Sequence, residues 1–76
     1  MIAEHDMVVL TAPVPEHSLE KGDVGTVVNV YRGGEAYEVE FLTLDGRTAA
    51  LATLQAPQVR HVGRRDLFHV RELEAA

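Results

Sequence analysis

The chain has 76 residues, a length that allows one domain over 1–76 and lets folding bury only about 60% of the unfolded surface. It contains no cysteine, which excludes disulfide bonds and any zinc site built on thiolates. Hydrophobic residues make up 46% of the chain, an ordinary share for a globular protein, so an apolar core has to supply the stability.

The net charge of −5 is spread unevenly. Residues 1–57 carry three basic and nine acidic side chains, a net of −6, whereas residues 58–76 carry four basic and three acidic side chains, a net of +1. An acidic body repels a phosphate backbone, which argues against general nucleic-acid binding and leaves the basic C-terminal patch as the exception.

The sequence shows neither a membrane segment nor an export signal. Its uncharged apolar runs are far shorter than the ~20 residues of a membrane-spanning helix. The N-terminal M-I-A-E-H-D lacks the basic and apolar regions of a signal peptide, so we expect a cytoplasmic protein.

The first predicted strand covers residues 6–12, with either Val8 and Leu10 or Met7 and Val9 facing inward. The following P-V-P-E-H-S-L-E at 13–20 contains two prolines that exclude a strand interior. It therefore predicts an irregular excursion that ends at a core residue.

The stretch L-E-K-G-D-V-G-T-V-V-N-V-Y at 19–31 organises the predicted fold. Its K-G-D segment predicts a turn at Gly22, because glycine tolerates positive φ and aspartate caps its own backbone. Gly25 falls inside the strand pattern, which indicates a bulge or a close backbone approach. We expect Leu19 and Val24 to anchor this loop to the core.

Two hairpins follow. R-G-G-E at 32–35 supplies the positive φ of a tight turn, and Y-E-V-E-F at 37–41 alternates apolar and acidic residues as a half-buried strand does. Asp45-Gly46 predicts the second turn. Residues 47–54 have helix-forming composition, but their position one turn after a clear strand predicts another strand.

The last elements are shorter. The break at Ala56-Pro57 leaves room for one 3₁₀ turn before a short strand that contains Val59 and Val62. The tail at 63–76 fits either an edge strand over 67–71, which we favour, or a short helix capped by Asp66. The sequence thus predicts an all-β fold, a small antiparallel barrel of five to six short strands with one 3₁₀ turn.

Several of these motifs occur in one order: K-G-D-V-G-T-V-V at 21–28, Y-E-V-E-F at 37–41, D-G at 45–46 and T-L-x-A-x-Q-V-R at 53–60. In this the chain resembles a family of small bacterial single-domain proteins of unknown function. The run G-D-x-G-x-V is shared more loosely with SH3-like barrels, including the nitrile hydratase β-subunit and the KOW segments of ribosomal and transcription proteins. The resemblance implies an SH3-like barrel and carries over no catalytic residue. It also suggests a partner encoded by the adjacent gene, as an antitoxin- or immunity-like protein would have.

The sequence offers no catalytic constellation, cofactor motif or metal motif. Ser18 lacks a G-x-S-x-G setting, and adjacent His17 would point the opposite way on an extended chain. The four histidines lack the H-E-x-x-H spacing, and Gly22 and Gly25 do not form a phosphate loop. We therefore expect a protein that is not an enzyme, with no cofactor and no metal.

Two groups of side chains are candidates for partner binding. Glu38 and Glu40 share one strand face about 7 Å apart, which fits either a solvated face or an acidic docking surface. The second group contains the C-terminal arginines together with two histidines and one aromatic residue, namely Arg60, Arg64, Arg65 and Arg71 with His61, His69 and Phe68. These could bind nucleic acid or another anion, but pairing with the acidic body, within one chain or between subunits, is favoured because it relieves the charge asymmetry.

The first hypothesis is a non-enzymatic protein-interaction module, the small acidic partner of another protein. The alternatives are a KOW-like nucleic-acid or ribonucleoprotein module and an accessory subunit resembling the nitrile hydratase β-barrel. An exposed edge at 67–71 would also allow a homodimer by strand addition.

Overall fold

The computed structural model describes residues 1–73. Its five strands form one antiparallel sheet in the order β4-β3-β2-β1-β5. The strands are β1 (Met7–Leu10), β2 (Val24–Tyr31), β3 (Ala36–Leu42), β4 (Thr48–Gln55) and β5 (Val59–His61). Two 3₁₀ turns, Pro15–His17 and Ala56–Gln58, complete the elements. The all-β prediction is confirmed, with five strands, and within 1–73 there is no α-helix.

The core lies on one face of the sheet. Val8 and Leu10 belong to the core cluster, whereas Met7 is 54% exposed and Val9, although only 9% exposed, lies outside that cluster. The first of the two predicted orientations of β1 is therefore correct. The alternation in β3 is also confirmed. The core cluster consists of Val8, Leu10, Val14, Leu19, Val27, Tyr37, Val39, Phe41, Ala52, Leu54 and Val59.

Gly25 lies at a close approach between β2 and the neighbouring strand β3. A Cβ at this position would stand 2.6 Å from Val39 Cγ1 and 2.9 Å from the Glu40 carbonyl oxygen, so no side chain fits. Of the two predicted reasons for this glycine, the close approach is the correct one. Val24, the neighbouring residue, faces the opposite side and pairs with Val9. It is therefore not the core anchor that we expected, whereas Leu19 is buried as predicted.

The irregularity in β2 lies further along, between Val27 and Asn29. An extra residue there shifts the pairing from Val27↔Val39 to Asn29↔Glu38. The shift returns Val30 to the side of the core cluster, against which it packs.

The predicted turns are present. The turn at 32–35 contains three consecutive positive φ values, 49° at Arg32, 68° at Gly33 and 108° at Gly34. Gly46 has φ 86° in the second hairpin, and its N–H donates to the Thr43 carbonyl. The excursion at 13–20 contains a 3₁₀ turn that was not predicted. It begins at Pro15, whose fixed φ suits a first helical position.

The C-terminal segment differs from the prediction. Neither an edge strand over 67–71 nor a helix after Asp66 forms, and residues 62–73 follow an irregular path. Side chains hold this path instead of a backbone ladder, as described below. The part of the predicted tail at 74–76 lies outside the described residues.

Candidate functional site

The loop at 18–23, which leads into β2, is fixed to β1 by its backbone. Leu10 N–H donates to the Asp23 carbonyl and Gly22 N–H donates to the Leu10 carbonyl, both at 2.9 Å. Glu20 N–H donates to Asp23 Oδ2 at 2.8 Å and so orients the carboxylate. Asp23 is the one charged residue among those described as buried, with 9% of its surface exposed.

Arg71 binds this carboxylate from the C-terminal segment. Its Nε donates to Asp23 Oδ1 at 2.8 Å and its Nη2 donates to Oδ2 at 2.7 Å, which is the bidentate geometry of a strong ion pair. Nη2 also donates to the Ser18 carbonyl at 3.2 Å, and Nη1 lies 3.6 Å from Glu20 Oε2. Arg71 thus pairs with the acidic body, the interpretation that the charge distribution favours.

His69 contacts the same loop. Its Nε2 lies 3.2 Å from Asp23 Oδ1, and its ring covers Gly22, where a Cβ would stand 3.2 Å from the imidazole. Gly22 has φ 97°, a conformation that side chains disfavour. The glycine therefore serves both the turn and the ring contact, and only the turn was predictable from the sequence.

The pKa of Asp23 reflects competing effects. Burial acts to raise this pKa, but the hydrogen bonds from Arg71 and from Glu20 N–H act in the opposite direction and outweigh it. The pKa is therefore lowered, and the carboxylate stays ionised at neutral pH.

A second ion pair fixes the other end of the segment. Arg60 donates to both Asp66 oxygens, at 3.0 and 2.9 Å, and Gly63 N–H donates to Asp66 Oδ2 at 2.6 Å. These hydrogen bonds lower the pKa of Asp66 to about 2. We call residues 66–71, held between the two ion pairs, the strap.

The strap exposes its apolar side chains. Leu67, Phe68 and Val70 are 93%, 101% and 77% exposed. An open groove runs between the strap and the outer face of the sheet, the face opposite the core that carries Val9 and Val24. The strap thus combines fixed ends with apolar side chains that are exposed to solvent.

The two predicted groups of partner-binding residues make different contacts within the chain. Glu38 accepts a hydrogen bond from the Tyr31 hydroxyl at 3.3 Å, and Glu40 accepts one from the Thr48 hydroxyl at 2.7 Å, so both serve the sheet. Arg60 and Arg71 form the two ion pairs of the strap, and Arg64 and Arg65 are exposed.

Sequence reasoning missed Asp23 as a site residue, whereas His69 was among the C-terminal candidates. The available signal was an aspartate in a glycine turn of a chain whose basic side chains are concentrated at one end. Sequence could not say which of the nine acidic residues in 1–57 would face the arginines.

The described residues contain no group of three or more histidine, cysteine, aspartate or glutamate side chains placed to hold a metal ion. In residues 1–73, no helix has the length and apolar character needed to cross a membrane.

The fold and this segment define a small all-β domain, a five-stranded antiparallel sheet with a side-chain-fixed C-terminal strap. Residues 4–61 match the model of a family described as a domain of unknown function, DUF4926, and the chain belongs to that family. Neither the curated proteins nor the solved structures contain a significant match to the chain. The family match ends with β5, so the strap lies outside it.

Proposed function

We propose that this protein is a non-enzymatic protein-interaction module, the small acidic partner of another protein, and that the strap is its contact surface. The observation that carries the proposal is the exposure of Leu67, Phe68 and Val70 on a segment fixed at both ends. An antitoxin- or immunity-like role, with the partner encoded by the adjacent gene, is the form of this function that we favour.

The energetic argument rests on burial and preorganisation. Burying a large apolar side chain contributes about 1.5–3 kcal/mol, and the strap leaves three of them in water. A segment already held in place loses less conformational entropy when a partner covers it. The exposed Arg64 and Arg65 add a basic rim suited to a partner with acidic side chains beside an apolar patch.

We also propose that the sheet is an SH3-like barrel. The strand order β4-β3-β2-β1-β5 supports this architecture, since its two edge strands are consecutive in the chain. The 3₁₀ turn at Ala56–Gln58 joins them directly and can redirect the chain sharply between them.

Partner capture tests the function. The tagged full chain is used to isolate bound protein from its host, and the protein identified is purified and titrated by calorimetry. We expect the Phe68→Ser variant to weaken binding at least tenfold, because a central apolar contact is lost. Leu51→Ser is the matched control, since Leu51 is a half-exposed apolar residue that does not line the groove beside the strap. Equal binding by both variants would contradict the proposal.

Nucleic-acid binding is the alternative function, and the exposed arginines favour it. Arg60 and Arg71 are paired with carboxylates, which leaves Arg64 and Arg65 as the exposed basic pair. A salt-dependent gel shift that disappears in the Arg64→Ala, Arg65→Ala double variant would support this alternative. We expect no shift even at low salt, because the rest of the chain is acidic.

A further inference from the structure

We propose that the outer edge of β4 is a self-association surface, on which the β4 strands of two copies of this chain pair antiparallel about a two-fold axis. The edge strand at 67–71 that the sequence predicts for strand addition does not form, and β4 offers a free edge instead. This surface is separate from the strap and does not depend on the proposed function.

The hydrogen bonds between β4 and β3 decide which backbone groups of β4 face outward. Just beyond the two strands, Ala56 N–H donates to the Glu35 carbonyl at 3.0 Å. Hydrogen-bonded pairs alternate along an antiparallel ladder. Counting back from this bond, alternate residues of β4 direct their N–H and C=O groups away from β3, namely Leu51, Thr53 and Gln55.

The outward groups of Leu51 and Thr53 have no partner among residues 1–73. Gln55 N–H donates to Gln58 Oε1 at 2.7 Å, but no such hydrogen bond reaches the other two residues. Both of them are exposed to solvent. A row of unpaired N–H and C=O groups on an exposed edge is a template for another strand.

The opposite edge of the sheet, β5, is protected. It has three residues, and two of its outward groups are satisfied within the chain. Val59 N–H donates to the Ala56 carbonyl, and Arg60 Nη1 donates to the His61 carbonyl at 3.1 Å. Short length, charge and proline are the usual defences of an edge strand. In contrast, β4 is eight residues long and contains neither a charged residue nor proline.

The positions of the free groups fix the register of the contact. A bulge at Ala49 interrupts the pairing of β4 with β3, so the regular part of the edge begins after this residue. With the two-fold axis at Ala52, Leu51 of each copy lies opposite Thr53 of the other. Each such pair exchanges both of its N–H···O=C hydrogen bonds, so the free groups of one copy match those of the second.

The charges of the two acidic copies permit this contact. On β3, Glu40 pairs with Leu51 and Glu38 pairs with Thr53. The glutamates of one copy therefore lie three strand spacings, about 14 Å, from those of the other. This separation exceeds the Debye length of about 8 Å at physiological ionic strength. Leu51 and Thr53 do not line the groove beside the strap, so the strap stays accessible in the dimer.

Sedimentation equilibrium of the full chain, from micromolar to millimolar concentration, tests the contact. We expect a monomer–dimer equilibrium that does not weaken as salt is added, because both copies are acidic. Thr53→Pro should weaken the dimer at least tenfold, since proline removes the outward N–H and leaves the ladder with β3 intact. Thr53→Val is the matched control and should dimerise as the wild type does, because it keeps that N–H. Circular dichroism checks that both variants fold.

Cysteine variants test the register, and they do not require Thr53→Pro to fold. The chain has no cysteine, so Leu51→Cys and Thr53→Cys each introduce a single thiol. Opposite residues in a hydrogen-bonded pair have Cα atoms about 5.5 Å apart, a distance that a disulfide spans. We expect mild oxidation of an equimolar mixture to form the mixed disulfide at least fivefold faster than either variant crosslinks alone.

The proposal is overturned by a chain that stays monomeric at millimolar concentration, by a dimer that Thr53→Pro leaves unchanged, or by mixed crosslinking no faster than that of the single variants. A dimer lost on Phe68→Ser but kept in Thr53→Pro would assign self-association to the strap. A monomer whose captured partner protects the Leu51 and Thr53 amides from hydrogen exchange would make a strand of that partner the occupant. Either result also overturns the proposal.

Discussion

Asp23 accepts hydrogen bonds from three residues, and two of them belong to the strap. Replacing it with asparagine keeps the shape but removes the charge that pairs with Arg71. We expect Asp23→Asn to lower the free energy of unfolding by about 2 kcal/mol, the usual cost of losing hydrogen bonds to a charged group. Urea denaturation measures this, with Glu20→Gln as control, because Glu20 is 65% exposed and an exposed pair contributes about 0–1 kcal/mol. Similar losses in the two variants would contradict a special role for Asp23.

Gly25 provides the second prediction at the scale of residues. Its replacement by alanine forces a methyl group against Val39 Cγ1 and the Glu40 carbonyl, so we expect a loss of about 1–3 kcal/mol in unfolding free energy. Gly63→Ala is the matched control, because a Cβ there stands 3.5 Å from its nearest neighbour and the φ of Gly63 is not in the left-handed region. Thermal unfolding of both variants gives the comparison, and a Gly25→Ala chain as stable as Gly63→Ala would contradict the close approach.

At the scale of elements, the strands could be predicted and the strap could not. The Y-E-V-E-F pattern predicts β3 because the alternation of apolar and polar residues in a strand can be seen in a few neighbouring residues. The glycine-containing turns on either side predict the two hairpins. The path of the strap depends on contacts with Asp23 from residues 46 and 48 positions away in the chain. Contacts between residues so far apart leave no periodic pattern in the sequence. The alternating apolar residues of the tail therefore predict an edge strand, which does not form.

The Arg60–Asp66 pair makes the strap sensitive to acid. The pKa of Asp66 is lowered from 3.8 to about 2, so protons bind the unfolded chain more readily than the folded one. The stabilisation is complete above pH 3.8 and is lost as the pH falls through about 2. We expect the Gly63 amide signal to titrate with a midpoint near 2, and Asp66→Asn to remove that transition. A midpoint near the ordinary aspartate pKa would contradict the ion pair.

At the scale of the whole molecule, stability depends on one small hydrophobic core, because the chain has no cysteine and therefore no disulfide bond. A domain of this length has an unfolding free energy of about 4–11 kcal/mol, on a scale of 0.05–0.15 kcal/mol per residue. Each large core side chain therefore supplies a considerable part of the total. Solvent-facing leucines, such as those on the outer side of the sheet, supply much less.

Two leucines on β4 allow the stabilisation from a core position and from a solvent-facing position to be compared. Leu54 is 1% exposed in the core, whereas Leu51 is 51% exposed on the other face of the same strand. We expect Leu54→Ala to cost about 2–5 kcal/mol in unfolding free energy, because it removes buried methyl groups and leaves a cavity. Leu51→Ala should cost less than about 1 kcal/mol. Urea denaturation followed by circular dichroism measures both, and since the substitution is the same, comparable losses would mean that the core is not confined to the face carrying Leu54.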